Sequence, residues 1–344
     1  MCVTNRAKHV APSVLVGLVL AMSGFSQEVT KVGTTSAKFL SIPVGSRALG
    51  MGGAFVAVAS DASAMYWNPA GIAGLYQSEA IFAHAAWIAD INFNYGGVVI
   101  PLEGLGTVGI NLTSMTTDEM ERTTITEPEG TGEMFSVGSF AVGISYAKRL
   151  TEWFSIGGNV KYVSEHIWNS NATGFAVDIG TLFTTPFPGV KFGAGIVNFG
   201  TKMNISGDDL IVLQDISPNK GNNPNINAKL STDDFDLPLT LRIGFAYEPI
   251  VDDFQQLTFV VDALHPNDNS ESISLGGEYL FFQKVLGLRG GYKGLGAKDS
   301  EEEFTFGAGV RYEMIPGLAA KFDYAYQKFG RLSNVHTFAL GILF

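Results

Sequence analysis

Residues 239–247 read Leu-Thr-Leu-Arg-Ile-Gly-Phe-Ala-Tyr, so large apolar side chains alternate one for one with small or polar ones. Alternation with period two places successive side chains on opposite faces of a β-strand. The same pattern recurs in about fourteen segments from Ile81 to the terminal Phe344, including residues 154–162, 272–281 and 304–312. The sequence therefore predicts an all-β protein whose strands each have one apolar face and one polar face.

The small and polar face also carries the charged residues of the strands, namely Arg242, Glu278, Arg289, Lys293, Arg311, Lys321 and Asp323. A lysine or arginine that faced lipid at the bilayer midplane would cost roughly 2 to 4 kcal/mol. A soluble secreted sandwich, with the large side chains in its core, is one interpretation. The many Phe and Tyr residues on the apolar face favour the other, a transmembrane β-barrel with apolar residues toward lipid and charges toward the lumen.

The N-terminus predicts export. Arg6 and Lys8 precede an apolar run that ends near Met22, and small residues follow it. This is the layout of a secretory signal peptide, and the run is shorter than the roughly twenty residues that a spanning helix needs. We expect cleavage after Ser26, which divides the chain into a signal peptide (1–26), an N-terminal hatch segment (27–77) and a barrel (78–344). The single cysteine, Cys2, lies in the signal peptide.

The spacing of the segments predicts fourteen antiparallel strands joined by two kinds of connection. Connections in even positions are tight turns, such as 102–105 and 314–317, whereas most odd connections are longer, including 117–135, 167–173 and 200–236. Bacterial outer-membrane barrels have an even number of strands, short periplasmic turns and longer outer loops. The sequence therefore predicts location in the bacterial outer membrane. Counts of twelve or sixteen strands also fit these boundaries.

The last predicted strand ends the chain on an aromatic residue. His336, Phe338, Leu340, Ile342 and Phe344 share one face of this strand. A terminal strand of this kind resembles the recognition signal that outer-membrane barrels present to the barrel assembly machinery. Phe344 is therefore the predicted assembly signal, and outer-membrane lipid and the assembly machinery are predicted partners.

The sequence contains no motif that is typical of nucleic-acid binding, metal binding or catalysis. The net charge of −11 argues against nucleic acid as a partner, because phosphates must be met by Lys and Arg. The five histidines are scattered without metal-ligand spacing, and no glycine-rich stretch has the lysine-serine ending of a P-loop. No motif of an activated nucleophile is present. We therefore expect that the protein is not an enzyme and binds no metal or other cofactor.

Residues 39–75 are rich in Gly and Ala and lack the strand pattern. Their glycines permit tight backbone turns. Asp61 or Ser60 could cap a short helix that runs to Trp67 and is ended by Pro69. A flexible linker would be more polar, so this segment is predicted to fill the barrel mouth as a plug. A separate mini-domain or lid outside the barrel is the alternative.

This segment resembles the N-terminal hatch of the FadL-like outer-membrane proteins, and more closely that of the PorV/PorQ family. The matching stretches are residues 46–54, 61–64 and 67–71, whose hatch motif consists of Gly50, Gly52, Gly53, Asp61, Asn68, Pro69, Ala70 and Gly71. Signatures similar to that family follow in order at residues 177–180, 198–200, 262–266, 277–279, 288–292 and 323–326. The resemblance implies a fourteen-stranded FadL-like barrel. Its predicted lumen-facing charged residues are Asp178, Arg242, Glu278, Arg289, Arg311, Lys321 and Asp323.

The resemblance implies two alternative functions. PorV-like proteins carry secreted proteins with C-terminal sorting domains to the attachment machinery of type IX secretion, and residues 200–236 would then be a docking surface for such cargo or for other type IX components. FadL-like proteins pass a hydrophobic ligand through a lumen gated by the hatch, here near Asn68. The chain is shorter than typical FadL-like transporters, which favours cargo binding. The simpler interpretation of the lumen charges is that they fill a wet interior.

Overall fold

The computed structural model describes residues 31–215, 225–297 and 300–344. Within these residues, fourteen antiparallel strands form one closed ring, because the first strand pairs with the last and the others pair with their neighbours along the chain. Named β1 to β14 in chain order, they are Glu79–Ala86, Asn92–Leu102, Gly106–Thr116, Val137–Arg149, Phe154–Ile167, Ser170–Thr184, Val190–Gly200, Thr240–Val251, Gln256–Pro266, Ser272–Phe281, Leu286–Leu295, Glu302–Ile315, Leu318–Phe329 and Val335–Leu343.

The predicted fold class, a fourteen-stranded antiparallel barrel, is confirmed. A closed ring has no free edge, so every strand pairs its backbone groups with two neighbours, as lipid requires. No helix in the described part of the chain is long and apolar enough to cross a membrane. The predicted signal peptide, residues 1–26, lies outside the described residues.

The two faces of each strand meet different surroundings. On β8, the side chains of Leu241, Ile243 and Phe245 are 39, 41 and 39% exposed, whereas Arg242 between them is only 5% exposed. Large apolar residues therefore point away from the ring, and small or charged residues point into it. This arrangement gives the barrel the apolar exterior that a bilayer-spanning barrel requires.

The connections differ between the two ends of the barrel. We call the end with the even connections the turn side and the opposite end the loop side. The third connection carries a small hairpin of Met120–Glu121 and Met134–Phe135. The seventh connection carries a second hairpin, Ile211–Gln214 with Ile226–Lys229, in its described part. Both hairpins therefore stand on the loop side.

One predicted loop is wrong. Residues 167–173 were expected to form one of the longer connections, but β5 and β6 are joined by a two-residue turn at Trp168 and Asn169. The carboxylate of Asp209, in the seventh connection, accepts hydrogen bonds from the backbone N–H of Asn169 (2.9 Å) and the hydroxyl of Ser170 (2.9 Å). This distant brace allows the two strands to continue to their tip.

Residues 37–75, the inner segment, lie within the ring. The segment contains two short helices, α1 (Ser46–Gly50) and α2 (Ala64–Trp67), and the 3₁₀ turns Lys38–Ser41 and Pro69–Gly74. It bonds to strands on different sides of the barrel: Ser46 donates to the carbonyl of Thr337 in β14, Asn68 donates to Thr181 in β6, and the hydroxyl of Tyr95 in β2 donates to Ala62. Only a position inside the ring reaches all three strands.

The inner segment packs closely against glycines on the inward faces of the strands. A Cβ atom on Gly157 would lie 2.5 Å from the carbonyl of Pro69, and one on Gly193 would lie 2.5 Å from the carbonyl oxygen of Val56. Real Cβ atoms essentially never approach other heavy atoms below 3.0 Å, so these positions have no room for a side chain. Nine strands carry a glycine whose added Cβ would meet inner-segment atoms within 3.0 Å: Gly97, Gly109, Gly157, Gly180, Gly193, Gly244, Gly276, Gly291 and Gly307.

The neighbouring glycines of β5 provide a matched test of this packing. We expect Gly157→Ala to lower the free energy of unfolding by about 1 to 3 kcal/mol, because its methyl group would overlap the backbone of Pro69. Gly158→Ala should change stability by less than about 0.5 kcal/mol, because its nearest neighbour would be the carbonyl oxygen of Asp178 at 3.4 Å. Thermal unfolding in detergent measures both; equal losses would contradict the proposed close packing.

Candidate functional site

Within the described residues, two chambers lie in the lumen on opposite sides of part of the inner segment. The loop-side chamber has a volume of about 430 Å³, and the turn-side chamber has a volume of about 270 Å³. Both lie against the half of the barrel around β9 to β13. The Pro69–Gly74 turn packs against the opposite half, on β4, β5 and β6. The candidate site is therefore confined to one side of the lumen.

Aromatic and aliphatic side chains line much of the loop-side chamber. Trp87 contacts the ring of Phe329 edge to face, with centroids 5.4 Å apart, and Tyr66 contacts Trp67 in the same way at 5.2 Å. Trp67 is fixed by a hydrogen bond from its indole N–H to the carbonyl of Val44 (2.9 Å). The remaining apolar lining residues are Ile42, Pro43, Ile88, Leu264, Pro266, Ala297 and Leu332. These side chains give the chamber a large apolar surface beside its polar and charged lining residues.

The cations that line this chamber are engaged by protein groups. Lys38 pairs with Asp268 at 2.6 Å, and Lys293 pairs with Glu302. Arg242 donates to the carbonyl of Tyr66 (3.2 Å), and its guanidinium lies 4.9 Å from the Tyr66 ring centroid and 5.2 Å from that of Trp67. These cation–π contacts are favourable in a desolvated site. The predicted lumen residue Arg242 therefore supports the aromatic floor of the chamber.

Ion pairs line the turn-side chamber. Glu278, whose side chain is 1% exposed, accepts two bonds from Arg47 (2.7 and 2.9 Å) and one from Arg289 (2.8 Å). Arg289 also donates to Asp323 at 2.6 Å. The structure therefore brings the predicted residues Glu278, Arg289 and Asp323 into one network, together with Arg47, which sequence reasoning did not select.

Further charges complete this chamber. Lys321 donates to Glu79 at 3.0 Å, and Arg47 lies 3.5 Å from a carboxylate oxygen of Asp61. Burial alone would lower the pKa of Arg47, but the carboxylates of Glu278 and Asp61 outweigh burial and raise that pKa above its ordinary value. Arg311 lines the same chamber and is exposed. Arg47 thus stays charged and joins the inner segment to the barrel wall.

Residues 50–53, the glycine turn, separate the two chambers. Along β10, Ser274 lines the loop-side chamber and Glu278 lines the turn-side chamber, while Gly276 between them faces Met51. β11 and β12 repeat this order, with Gly291 and Gly307 facing the turn. Four strand residues span about 13 Å. Along β10 to β12 the chambers are therefore separated by a single backbone turn, whereas residues 43–45 and 63–67 lie between them elsewhere.

The glycine turn is held mainly through its backbone. Gly52 and Gly53 have φ angles of 69° and 73°, a left-handed conformation that glycine adopts without steric cost. The hydroxyl of Thr305, on β12, accepts a hydrogen bond from the N–H of Gly52 (2.9 Å) and donates to the carbonyl of Gly50 (3.2 Å). Thr305 therefore links both ends of the turn to the barrel wall.

The rest of the predicted hatch motif lies away from the chambers' barrier. The side chain of Asn68 is fully buried; it donates to the carbonyls of Val56 (2.9 Å) and Thr181 (3.0 Å) and accepts the N–H of Ala70. Pro69 lies against Gly157, and Gly71 lies against the carbonyl of Ala59. Asp61 accepts the N–H of Ser63 (2.9 Å) just before α2. These residues brace the inner segment, whereas Gly50, Gly52 and Gly53 form the barrier.

Two other carboxylates on the inward faces of the strands, Asp178 and Asp262, are buried and hydrogen-bonded. Asp178, predicted to face the lumen, is buried in a polar cluster with Lys161 (2.8 Å) and the backbone N–H of Asn198 (2.7 Å). Asp262, which sequence reasoning did not select, accepts the N–H groups of Phe55 (2.7 Å) and Val56 (2.9 Å). Its position on the inward face of β9 could have singled it out in the sequence, because a carboxylate buried on that face needs hydrogen-bond donors.

The other predicted positions remain outside this site. Phe344, the predicted assembly signal, is 54% exposed, and its N–H donates to the carbonyl of Ser78 at 3.0 Å. Its role in assembly stays a prediction. Among residues 31–215, 225–297 and 300–344, no group of three or more His, Cys, Asp or Glu side chains is arranged to hold a metal ion.

A closed fourteen-stranded ring around an N-terminal segment is a FadL-like fold, as solved structures show. A Pseudomonas aeruginosa FadL homologue matches with a TM-score of 0.52 and 14% identity over 88% of this chain and 98% of that chain. The CymD monoaromatic hydrocarbon channel matches with a TM-score of 0.57 and 13% identity over 88% and 97%. The Pseudomonas putida toluene transporter TodX gives 0.56 and 12% over 86% and 96%. At these identities the likeness shows the fold alone.

The chain belongs to the uncharacterised protein family UPF0164, whose family profile matches residues 13–343. No protein of curated function gives a significant match to the sequence. Membership of the PorV/PorQ family, expected from the hatch stretches, stays a prediction. The FadL-like part of that expectation agrees with the solved structures.

Thr305 allows the barrier to be tested with one pair of variants. Thr305→Val removes the acceptor for Gly52 and the donor to Gly50, whereas Thr305→Ser keeps both. Loss of about 1 kcal/mol of hydrogen bonding would raise the ratio of open to closed channels roughly fivefold. We expect this increase in planar-bilayer conductance for Thr305→Val only. Identical conductance in both variants and the parent protein would show that the glycine turn is not the barrier.

Proposed function

We propose that the protein is a bacterial outer-membrane channel for small apolar molecules, which enter through the loop-side chamber. The observation that carries this proposal is the chamber itself. Its volume of about 430 Å³ falls within the range of ordinary ligand sites, and aromatic and aliphatic side chains form a large part of its lining, as they do in such sites. A molecule that binds there would lie between Trp67, Trp87 and Phe329.

The exterior and the fold support a location in the outer membrane. Exposed apolar side chains cover the strands, and the structured connections stand on one side of the barrel. Two proteins with the same fold are described as a monoaromatic hydrocarbon channel and a toluene transporter. Because the fold alone does not choose the solute, the apolar chemistry of this chain's own chamber is what favours an apolar molecule.

The charges of the lining refine the expected solute. Lys38 and Lys293 are already paired with carboxylates, and Arg242 is covered by two aromatic rings. A carboxylate or phosphate on the solute would have to displace Asp268 or Glu302 to pair with either lysine, or move the rings of Tyr66 and Trp67 to reach Arg242. An uncharged apolar molecule needs no such exchange, so it fits the chamber with less rearrangement.

Ser272 and Ile273 are neighbours on β10 that face opposite sides of the barrel wall. Ser272 lines the chamber, whereas Ile273 is 37% exposed on the exterior. We expect Ser272→Trp to fill the chamber and lower uptake of radiolabelled toluene at least about tenfold, as loss of about 1.4 kcal/mol of binding would do. Ile273→Trp should leave uptake within about twofold, because Trp is tolerated on an apolar exterior. Cells expressing each variant at equal outer-membrane levels provide the measurement, and unchanged uptake by Ser272→Trp would contradict the proposed entry site.

A second candidate is the cargo-carrying function in type IX secretion. The glycine turn separates the chambers, and a protein that only binds cargo needs no open lumen. The seventh connection also exposes apolar side chains to the loop side: Ile211, Leu213 and Phe235 are 46, 63 and 45% exposed. Such side chains suit contact with another protein better than contact with water.

Deletion of residues 211–229 distinguishes the two functions. If the protein carries cargo, export of proteins with C-terminal sorting domains should fall at least about tenfold in a host with type IX secretion, while toluene uptake stays unchanged. Deletion of residues 186–188 in the sixth connection, on the turn side, is the control and should leave export unchanged. Normal export after loss of 211–229 would exclude this connection as the cargo-docking surface.

A further inference from the structure

A groove on the loop side of the barrel belongs to neither chamber. It lies between the hairpin of the third connection, the tip of β5 and β6, and the start of the seventh connection, and has a volume of about 450 Å³. We call it the rim groove. Its apolar lining consists of Phe135, Ile167, Trp168, Ile205 and Leu210. Ile167 and Ile205 are 41 and 37% exposed, so apolar surface is open to the outside.

The rim groove stands outside the apolar band of the barrel. Tyr162 on β5 and Phe175 on β6 are opposite each other and are the last large apolar side chains on the outward face before the tip. The outward residues beyond them are Ser164, His166, Asn171 and Thr173. A polar stretch of this kind marks the end of the lipid-facing surface. Lipid therefore does not explain the exposed apolar lining of the groove.

The two connections that flank the groove are strongly acidic. Residues 117–136 contain six Asp or Glu residues and one basic residue, and the described residues 201–215 and 225–239 contain six acidic and two basic residues. Among the described lining residues of the groove, Glu121 and Asp209 are acidic, and the one cation, Arg122, pairs with Glu133 at 2.7 Å and lies 5.0 Å from the ring centroid of Trp168. The groove therefore combines an apolar floor with a negative rim.

This combination selects the chemistry of an occupant. Anionic lipid headgroups and phosphates would be repelled by the rim, and a simple metal cation would make no use of the apolar floor. We propose that the rim groove docks a polypeptide segment in which apolar side chains alternate with lysine or arginine. The apolar side chains contact Trp168 and its neighbours, and the basic ones face the acidic connections. This inference does not depend on solute passage through the lumen.

Binding of a defined peptide tests the proposal. The probe is a fluorescein-labelled twelve-residue peptide of alternating Leu and Lys, titrated by fluorescence anisotropy into the full protein in nanodiscs of zwitterionic lipid, with empty nanodiscs as the blank. We expect saturable binding that weakens at least about tenfold in the variant Trp168→Ala, Ile205→Ser. Trp153→Ala is the matched control, because Trp153 is 56% exposed on the turn side, and it should bind like the parent protein.

Two altered peptides separate docking from simple charge attraction. A peptide with Ser in place of Leu should bind at least about tenfold more weakly, and one with Glu in place of Lys should not bind. Equal binding of the Ser and Leu peptides would overturn the proposal, since the acidic connections alone would then explain binding. Equal binding by empty nanodiscs, or by the groove variant, would also overturn it. Ile205→Ser alone is measured as well, so that a folding defect in the double variant does not decide the result.

Discussion

The width of a fourteen-stranded ring is the constraint on which the rest of the structure depends. Eight strands enclose a space that side chains can fill, but a larger barrel encloses more. Here the inner segment occupies that space, and a chain inside a barrel must still satisfy its own backbone hydrogen bonds. Asp262, Asn68 and Thr305 do so by bonding to the N–H and C=O groups of the segment. Polar residues on the inward face are therefore required by the filling of the lumen as well as by its solvation.

The same constraint explains the inward glycines. The inner segment passes across nine strands and approaches the wall most closely where the wall residue is a glycine, as at Gly157, Gly193 and Gly276. Where the segment recedes from the wall, longer inward side chains replace the glycines, as at Arg242 and Glu278. The chambers thus occur where the inner segment does not fill the ring. The loop-side chamber has many aromatic side chains and the turn-side chamber has ion pairs, because different residues of the inner segment face each chamber.

Much of the fold is readable from the sequence because alternation is a local property. The faces of β8 follow directly from Leu241, Arg242 and Ile243, and the strand number follows from repeated alternation. The turn at Trp168 was not readable, because Asp209, forty residues away in the chain, braces it. The site was less accessible still. Gly157 and Gly158 look alike in sequence, and only the packed inner segment shows which one is essential.

Different parts of the inner segment are attached to the barrel wall in different ways. Between Phe55 and Gly71, Asp262 accepts the backbone N–H groups of Phe55 and Val56, and the buried side chain of Asn68 donates to the carbonyls of Val56 and Thr181. The glycine turn at residues 50–53 has a chamber on either side, and the barrel wall contacts it through one hydroxyl and three glycines. Met51 is fully buried, and the backbone N–H groups of residues 51–53 bond back to carbonyls of α1. The two left-handed glycines allow the turn to change its backbone conformation with less strain than other residues would. Arg47, immediately before this turn, keeps α1 paired with Glu278. A displacement of the turn would therefore join the chambers without releasing the rest of the inner segment from the barrel.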